Sequence, residues 1–415
     1  MTRHRTRAVP EPVSYLRTSW STDPFALCSY SFQAPSRLGV DMRTLLAASV
    51  EERVFFAGEA TSTDAPATTR GALESGRRAA REIRRTARAG ERIIVVGAGF
   101  AGLGCAHALE RFGFEVQVVE ARDRVGGRVW TRRIAGVPVE LGASWIHGAA
   151  RNPVEALRRR SGGRGYEVDY DSVLGRDEAA MAELADHLEA LDDVEDPDIT
   201  AVSALLPDPL PPGLRYAASV AYAQEYGCEA SELAVAADQG WVGTGRGEDL
   251  LLLDGYDRLI AHLQGGRVVH TSTVVTRVSH SGTGVRLALA DGGHLGADRV
   301  VITVPIGVLK ASTITFTPPL PAAKREAIEA MGAGLLDKLW LELPSVFWNP
   351  EAEFIEWPDP DAPGLWSIWL NGYAIFGHPL LLGFNGGQHA RALARARDHE
   401  VVGSAVAALS RLRLD

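Results

Sequence analysis

Apolar positions along the chain fall into short runs and helical spacings rather than one repeating pattern. The run Val54-Phe55-Phe56-Ala57-Gly58 predicts a buried strand ending in glycine, and Ser29-Tyr30-Ser31-Phe32 predicts an extended segment before it. From about Ala67 to Arg85 good helix formers predict a helix, with Asp64 and Pro66 as start signals and residues 87–91 as a linker after it. Arg92-Ile93-Ile94-Val95-Val96 is apolar after its first residue, as a parallel strand covered on both faces must be. A glycine turn, a helix to about Phe112 and a strand at Glu115–Glu120 complete a βαβ unit.

Residues 151–249 alternate polar helical stretches with turns such as Pro207-Asp208-Pro209-Leu210-Pro211-Pro212, and Ala179–Leu191 predicts an amphipathic helix. Strands return at Val268-Val269, Val274–Val278, Val285–Leu289 and Val300–Val304. Pro321–Met331 predicts a helix, and Leu339–Leu343 and Leu380–Phe384 predict strands. Residues 1–18, polar and proline-containing, predict a frayed arm.

Composition narrows the reading only slightly. A chain of 415 residues suits two intertwined domains, and 46% hydrophobic with 23% charged residues is ordinary for a globular protein. The net charge of −9 argues against a basic nucleic-acid binder and favours cationic ligands through long-range attraction. Three scattered cysteines give no disulfide framework, the basic N-terminus runs into Pro10 rather than an apolar stretch, and no run approaches the ~20 apolar residues of a membrane span. The expectation is a cytoplasmic protein with no membrane and no nucleic-acid partner. Eleven histidines show no paired ligand spacing, so no metal is expected.

The chemistry begins at Gly97-Ala98-Gly99-Phe100-Ala101-Gly102. The first glycine permits the tight turn, the second lets backbone reach a pyrophosphate, and the third allows close helix packing, while the helix N-terminus stabilises phosphate charge. Glu120 closes the next strand, placed to accept from ribose hydroxyls. Ala121-Arg122-Asp123-Arg124-Val125-Gly126-Gly127-Arg128 then supplies paired glycines and arginines suited to a bulky diphosphate cofactor.

This string resembles the flavin-containing amine oxidases, and the resemblance extends over most of the chain. Glu140-Leu141-Gly142-Ala143-Ser144-Trp145-Ile146-His147-Gly148 is similar to the polyamine-oxidase form of the strand that passes the isoalloxazine. Leu253–Leu259 resembles the re-entry into the flavin domain, Val275 the position pairing with adenine, and Asp298–Leu309 the crossover out of it. Phe55-Phe56-Ala57-Gly58-Glu59-Ala60-Thr61 and Ala67-Thr68-Thr69-Arg70-Gly71-Ala72 resemble the family's C-terminal flavin-clasping segment, yet they precede the glycine turn. The resemblance therefore implies a circularly permuted chain, in which residues 87–91 join the old ends and Met1 lies near Asp415.

The fold it implies is α/β, a Rossmann-type FAD-binding domain (19–155 and 250–312) with a second mixed α+β substrate domain (1–18, 156–249 and 313–415). By resemblance Glu59, Thr61, Thr68 and Thr69 touch the ribityl chain, phosphate and pyrimidine end, and a helix starting near Thr68 aims its N-terminus at flavin N1–C2=O. Lys338, in Met331–Leu339, holds a water near flavin N5 and assists reaction with oxygen; burial lowers such a lysine's pKa. Tyr30 packs beside substrate facing the flavin, and Thr68 stands where the monoamine-oxidase branch has a second tyrosine. His147 lines the amine channel. Ser29 stands where some relatives attach FAD through cysteine, so the FAD is expected to be non-covalent, and Cys28 one residue earlier faces the other way.

The expected reaction is FAD-dependent oxidation of an amine, polyamine or other, by hydride transfer to flavin N5, giving an imine and then a carbonyl product while O2 becomes H2O2. Oxidation of an amino acid or natural-product amine, and a flavin-binding protein with little turnover, stay open. Glu225, Glu229 and Glu232 fit either a site for a distal ammonium or solvated helix faces, and Arg77, Arg78, Arg81, Arg84 and Arg85 read as an exposed helix face.

Overall fold

The computed structural model describes residues 9–39, 42–239 and 247–412. Strand Arg92–Val96 lies at the centre of a parallel five-stranded sheet. The strand order is Val269–His270, Glu115–Val119, Arg92–Val96, Arg299–Ile302 and Val54–Phe56. Alternation along each strand divides its side chains between two cores. Ile93, Val95 and Phe55 pack with Leu73, Ile83, Leu103 and Leu109 of helices Thr69–Thr86 and Phe100–Arg111. Ile94, Val96 and Phe56 face a second core with Met42, Leu46, Val278 and Leu287. Val278 and Leu287 come from a four-stranded sheet in which Val275–Ser281 and Gly284–Leu289 are central and His294–Ala297 and Thr315–Thr317 are the edges.

A six-stranded sheet forms the other wall of the molecule, in the order Ser14–Arg17, Leu336–Glu342, Leu380–Gly386, Ile368–Asn371, Phe354–Glu356 and Val173–Leu174. Leu339, Leu341 and Trp369 face helix Asp398–Leu409. Trp340, Leu382 and Leu370 face Val139, Leu141 and Leu251, which turns Lys338 to the same side as Trp340. A hairpin-like pair, Tyr30–Gln33 with Met331–Gly334, connects the two halves. Helix Pro212–Ala218, continued by the wider turns Ser219–Gln224, brings Gln224 and Glu225 to the interior.

Several expectations change. The arm is not frayed over its described part: Ser14–Arg17 is an edge strand registered on Leu339–Glu342, and Arg17 Nε holds Asp398 at 2.6 Å. Four residues carry too little alternation to announce a strand. Met1 to Ala8 and Asp415 lie outside the described residues, while Val9 packs against the core that contains Leu412. The helix expected from about Ala67 begins at Thr69 and is capped by Thr68, whose Oγ1 accepts from Gly71 N at 3.0 Å, rather than by a signal at Asp64 or Pro66. Arg78 is not on a solvated face; it donates to the Phe56 carbonyl at 2.8 Å and to Thr61 Oγ1 at 3.0 Å. Strands His294–Ala297, Phe354–Glu356 and Ile368–Asn371 add to those expected. No helix among the described residues is long and apolar enough to cross a membrane.

Candidate active site

A cavity of about 520 Å³ runs from the glycine turn to the six-stranded sheet, and the residues expected to touch cofactor or substrate line it except Gly102 and Thr61. Thr61 is instead taken up within the protein, its hydroxyl donating to the Gly58 carbonyl at 2.9 Å and accepting from Arg78 at 3.0 Å. Gly102 lies behind the turn, where a side chain would place its Cβ 1.9 Å from the Gly97 carbonyl oxygen. Gly97 itself has φ +108°, and a Cβ there would meet Thr303 Oγ1 at 2.4 Å. No side chain caps helix Phe100–Arg111, so its first-turn N–H groups open toward the cavity between Gly99 and Ala101. That is an anion cradle that a β-carbon would fill.

Glu120 is buried beside this turn. Its two oxygens accept from Ala98 N at 2.8 Å and Arg122 N at 2.9 Å, which fixes the carboxylate at the cavity edge. The Arg122 guanidinium turns to Asp23 at 2.7 Å and stacks toward Phe25, a partner pair that no motif announces. Val275 closes the same end. Gly127 follows with φ +60°, its backbone packed against Gly99.

Arg128 and Glu59 hold each other at 3.0 Å. Arg128 also donates to the Ser29 carbonyl at 2.9 Å, and Glu59 accepts from Ser31 Oγ at 2.7 Å and Ala67 N at 3.1 Å. Burial pushes the Glu59 carboxyl up, but Arg128, Arg43 and the Ser31 hydroxyl outweigh it and hold the group below the usual carboxylate range. Cys28 is fully buried in the core with Val54 and Ile94, while Ser29 lines the cavity.

In the middle of the cavity Gly142, Ala143, Ser144 and Trp145 face Thr68, Thr69 and Lys338. Lys338 Nζ donates to the Gly142 carbonyl at 2.5 Å and to Ser144 Oγ at 2.6 Å, above the Trp145 and Phe384 rings. Burial lowers its pKa to about 7, against the opposing charge of Glu140. Glu140, pinned by Thr131 Oγ1 and Tyr256 N, is itself raised to about 7 by burial. Trp145 Nε1 and the Gln224 side-chain amide are buried without a hydrogen-bond partner among the described residues, and both residues line the cavity.

The far end is aromatic and acidic. Tyr30, Tyr170, Phe354 and Phe384 line it together with His147 and Glu225. Asp249, behind the wall, accepts from Tyr170 at 3.0 Å and from Gly148 N at 2.8 Å, and its Oδ2 lies 2.6 Å from His147 Nδ1. Burial would raise the Asp249 carboxyl, yet these hydrogen bonds hold it below its ordinary value. Burial also raises Glu225, helped by Asp249 and opposed by His147, and it raises Tyr30. Glu229 and Glu232 belong elsewhere: Glu229 accepts from Gln388 N at 2.7 Å and Glu232 pairs with Arg391 at 2.7 Å. Asp249 and Tyr170 carry no motif; only the fold brings them to His147. Among the described residues no three His, Cys, Asp or Glu side chains converge as a metal set.

The family model described as flavin containing amine oxidoreductase matches residues 3–84, 100–167 and 212–415. Polyamine oxidase 2 of Arabidopsis thaliana is 31% identical over 389 residues, covering 83% of this chain and 78% of that protein. Lysine-specific histone demethylase 2 of Homo sapiens is 29% identical over 357 residues, 77% of this chain and 43% of that protein. In fold, the chain is similar to a putrescine oxidase solved with putrescine, with a TM-score of 0.62 at 19% identity over 78% of this chain and 81% of that one. The chain thus belongs to the flavin containing amine oxidoreductases and is an FAD-dependent amine oxidase.

Proposed function

We propose that the cavity binds FAD non-covalently along its length and oxidises a di- or polyamine at its aromatic end, with Lys338 between the two. The fit to the cofactor rests on the uncapped helix and the glycine cradle at one end, the fixed Glu120 carboxylate beside it, and the orphaned Trp145 and Gln224 polar atoms. Gly97, Gly99, Gly127 and Arg128 would hold the diphosphate side, with Arg122 and Val275 at the adenosine end. Glu59, Thr68, Thr69 and the Gly142–Trp145 backbone would hold the ribityl and ring portion. A bound FAD would supply the two-electron chemistry of amine oxidation, taking up hydride from the carbon next to nitrogen and returning the electrons to O2 as H2O2, and the imine product would be hydrolysed to a carbonyl.

The protein's own part is to bind, align and keep water out. Tyr30 and the Trp145 and Phe384 rings shape the slot for the amine, which must be neutral at the reacting nitrogen, so turnover rises as that nitrogen loses its proton. Lys338, whose pKa burial brings down to about 7, is able to change its protonation state near neutral pH, and would hold a water and shift a proton at Nζ. His147, fixed by Asp249, and Glu225 orient the amine chain by hydrogen bonds and charge. The observation that carries the reading is Lys338 Nζ, 2.6 Å from Ser144 Oγ, in the same cavity as the glycine turn and the acidic far end.

A polyamine is favoured over an amino acid by the charges at the far end. Among the described residues the arginines lining the cavity are Arg122 and Arg128, both engaged at the cofactor end, and none stands ready for a substrate carboxylate. The test is a peroxide-release screen over polyamines, monoamines and amino acids. Turnover confined to amino acids, or a yellow protein releasing no peroxide with any of them, overturns the reading.

On this reading the chain is a circularly permuted family member. Strand Val54–Phe56 and helix Thr69–Thr86 come before the glycine turn, residues 87–91 join that helix to Arg92–Val96, and Val9 packs against the core that contains Leu412. The FAD domain is then 19–155 with 250–312, and the substrate domain 1–18, 156–249 and 313–415. Three free cysteines, Cys28, Cys105 and Cys228, suit a reducing cytoplasm.

A further inference from the structure

The phenol of Tyr256 is fully buried behind the cavity wall, its ring edge-on to Phe100 with centroids 5.9 Å apart. Its hydroxyl oxygen lies 2.7 Å from the Trp145 carbonyl oxygen and 3.2 Å from Thr69 Oγ1. Simple counting fixes the direction of both bonds. A carbonyl oxygen only accepts and a phenol has one proton, so Tyr256 gives that proton to Trp145. At the second contact the tyrosine oxygen must accept, and Thr69 must donate. Thr69 also has a single hydroxyl proton, so its oxygen has only lone pairs left for the cavity that Thr69 lines.

We propose that Tyr256 is a positioning residue that makes Thr69 a hydrogen-bond acceptor in the cavity wall, and that Thr69 thereby selects a ring N–H on the bound cofactor. The imide N3–H of a flavin is the group of that kind. The same helix end offers backbone N–H donors, because the Thr68 side chain engages only that of Gly71. An acceptor beside donors matches the alternating N–H and C=O edge of the flavin pyrimidine. This inference rests on the reading that FAD occupies the cavity.

Replacing Tyr256 with phenylalanine keeps the ring against Phe100 and removes the acceptor behind Thr69, freeing the threonine proton to turn inward. The probes are FAD and 3-methyl-FAD, which lacks the N3 proton, titrated into the flavin-free full chain and read by quenching of flavin fluorescence. The parent should bind 3-methyl-FAD roughly ten-fold more weakly than FAD. That ratio should collapse to within about two-fold in Thr69→Val and Tyr256→Phe, and persist in Thr69→Ser, which keeps the hydroxyl. A general loss of stability weakens both flavins alike and leaves the ratio unmoved. Equal binding of the two flavins by the parent, or a ratio that survives Thr69→Val or Tyr256→Phe, overturns the inference and leaves FAD binding standing. A parent that binds neither flavin overturns the proposed function as well.

Discussion

Lys338 Nζ donates to Ser144 Oγ at 2.6 Å across 194 residues of sequence. The two come from the six-stranded sheet and from the strand region entering the cofactor side, so the bond spans the halves of the molecule. Lys338→Met removes both the bond and the titrating amine. Reoxidation of the reduced enzyme by O2 should slow on the order of 10²-fold, with reduction by amine changed far less. Stopped-flow absorbance separates the two half-reactions. A variant that reoxidises as fast as the parent shows that Lys338 has no part in the oxygen step.

The Lys338 ammonium also leaves a mark on stability. With its pKa brought down to about 7 from the ordinary 10.5, the unfolded chain binds more protons than the folded one between those values. Stability of the flavin-free protein therefore rises with pH across that window, and the penalty for burying the charge is fully present only below it. Lys338→Met abolishes this contribution, so its stability gain over the parent is larger at pH 6.5 than at pH 9.5 in urea unfolding. A gain that does not change with pH contradicts the assignment.

Asp249 holds His147 from outside the cavity, so Asp249→Asn should act on substrate alignment rather than on cofactor binding. The expected outcome for a polyamine substrate is a rise in KM of about ten-fold, with flavin content unchanged and kcat reduced less. Glu225→Gln should behave alike if the far end receives a distal ammonium, and neither variant should affect a short monoamine as much. Equal losses for long and short amines speak against that role.

Gly102 admits no side chain. In Gly102→Ala the methyl would stand 1.9 Å from the Gly97 carbonyl oxygen, and backbone must move. The expected cost is about 1–3 kcal/mol of stability with loss of copurifying flavin, seen as a lower Tm and a colourless protein. A yellow variant of parental Tm shows that the turn tolerates what its geometry forbids.

The order of the segments is testable by rearrangement. A chain that begins at Arg92, ends at Ala87 and links Asp415 to Met1 through a short flexible tether should fold, bind flavin and turn over as the parent does. A colourless or insoluble product counts against the permutation, whereas a yellow protein supports it.

The βαβ unit and its glycines were legible because Ile93-Ile94-Val95-Val96 is buried on both faces and the turn has one strict spacing. The strand at Leu339 and the helix after Thr68 were legible for the same local reasons. Ser14–Arg17 was not, since four residues become a strand only when Leu339–Glu342 offers them an edge. Nor was Asp249, whose role comes from a 2.6 Å contact made 102 residues from His147. The sequence also left Glu225, Glu229 and Glu232 equivalent, and only the wide turns after Ala218 separate the one in the cavity from the two in surface pairs. Arg78 shows the reverse error: five arginines at helical spacing look solvated until one reaches the Phe56 carbonyl.

The parallel pairing of Val54–Phe56 with Arg299–Ile302 carries a consequence for biosynthesis. The ribosome releases the outer strand, with Glu59 and helix Thr69–Thr86 behind it, long before its hydrogen-bonding neighbour exists. Helix Phe100–Arg111 emerges soon enough to shelter the helix, but the strand edge must wait for roughly two hundred and fifty further residues. At synthesis speeds of about 5–20 residues per second that is a delay of tens of seconds with an apolar Val-Phe-Phe edge uncovered. Nascent chains arrested before residue 299 should therefore bind chaperones through the Val54–Phe56 edge, and contact at that edge should be lost once Arg299–Ile302 has emerged from the ribosome.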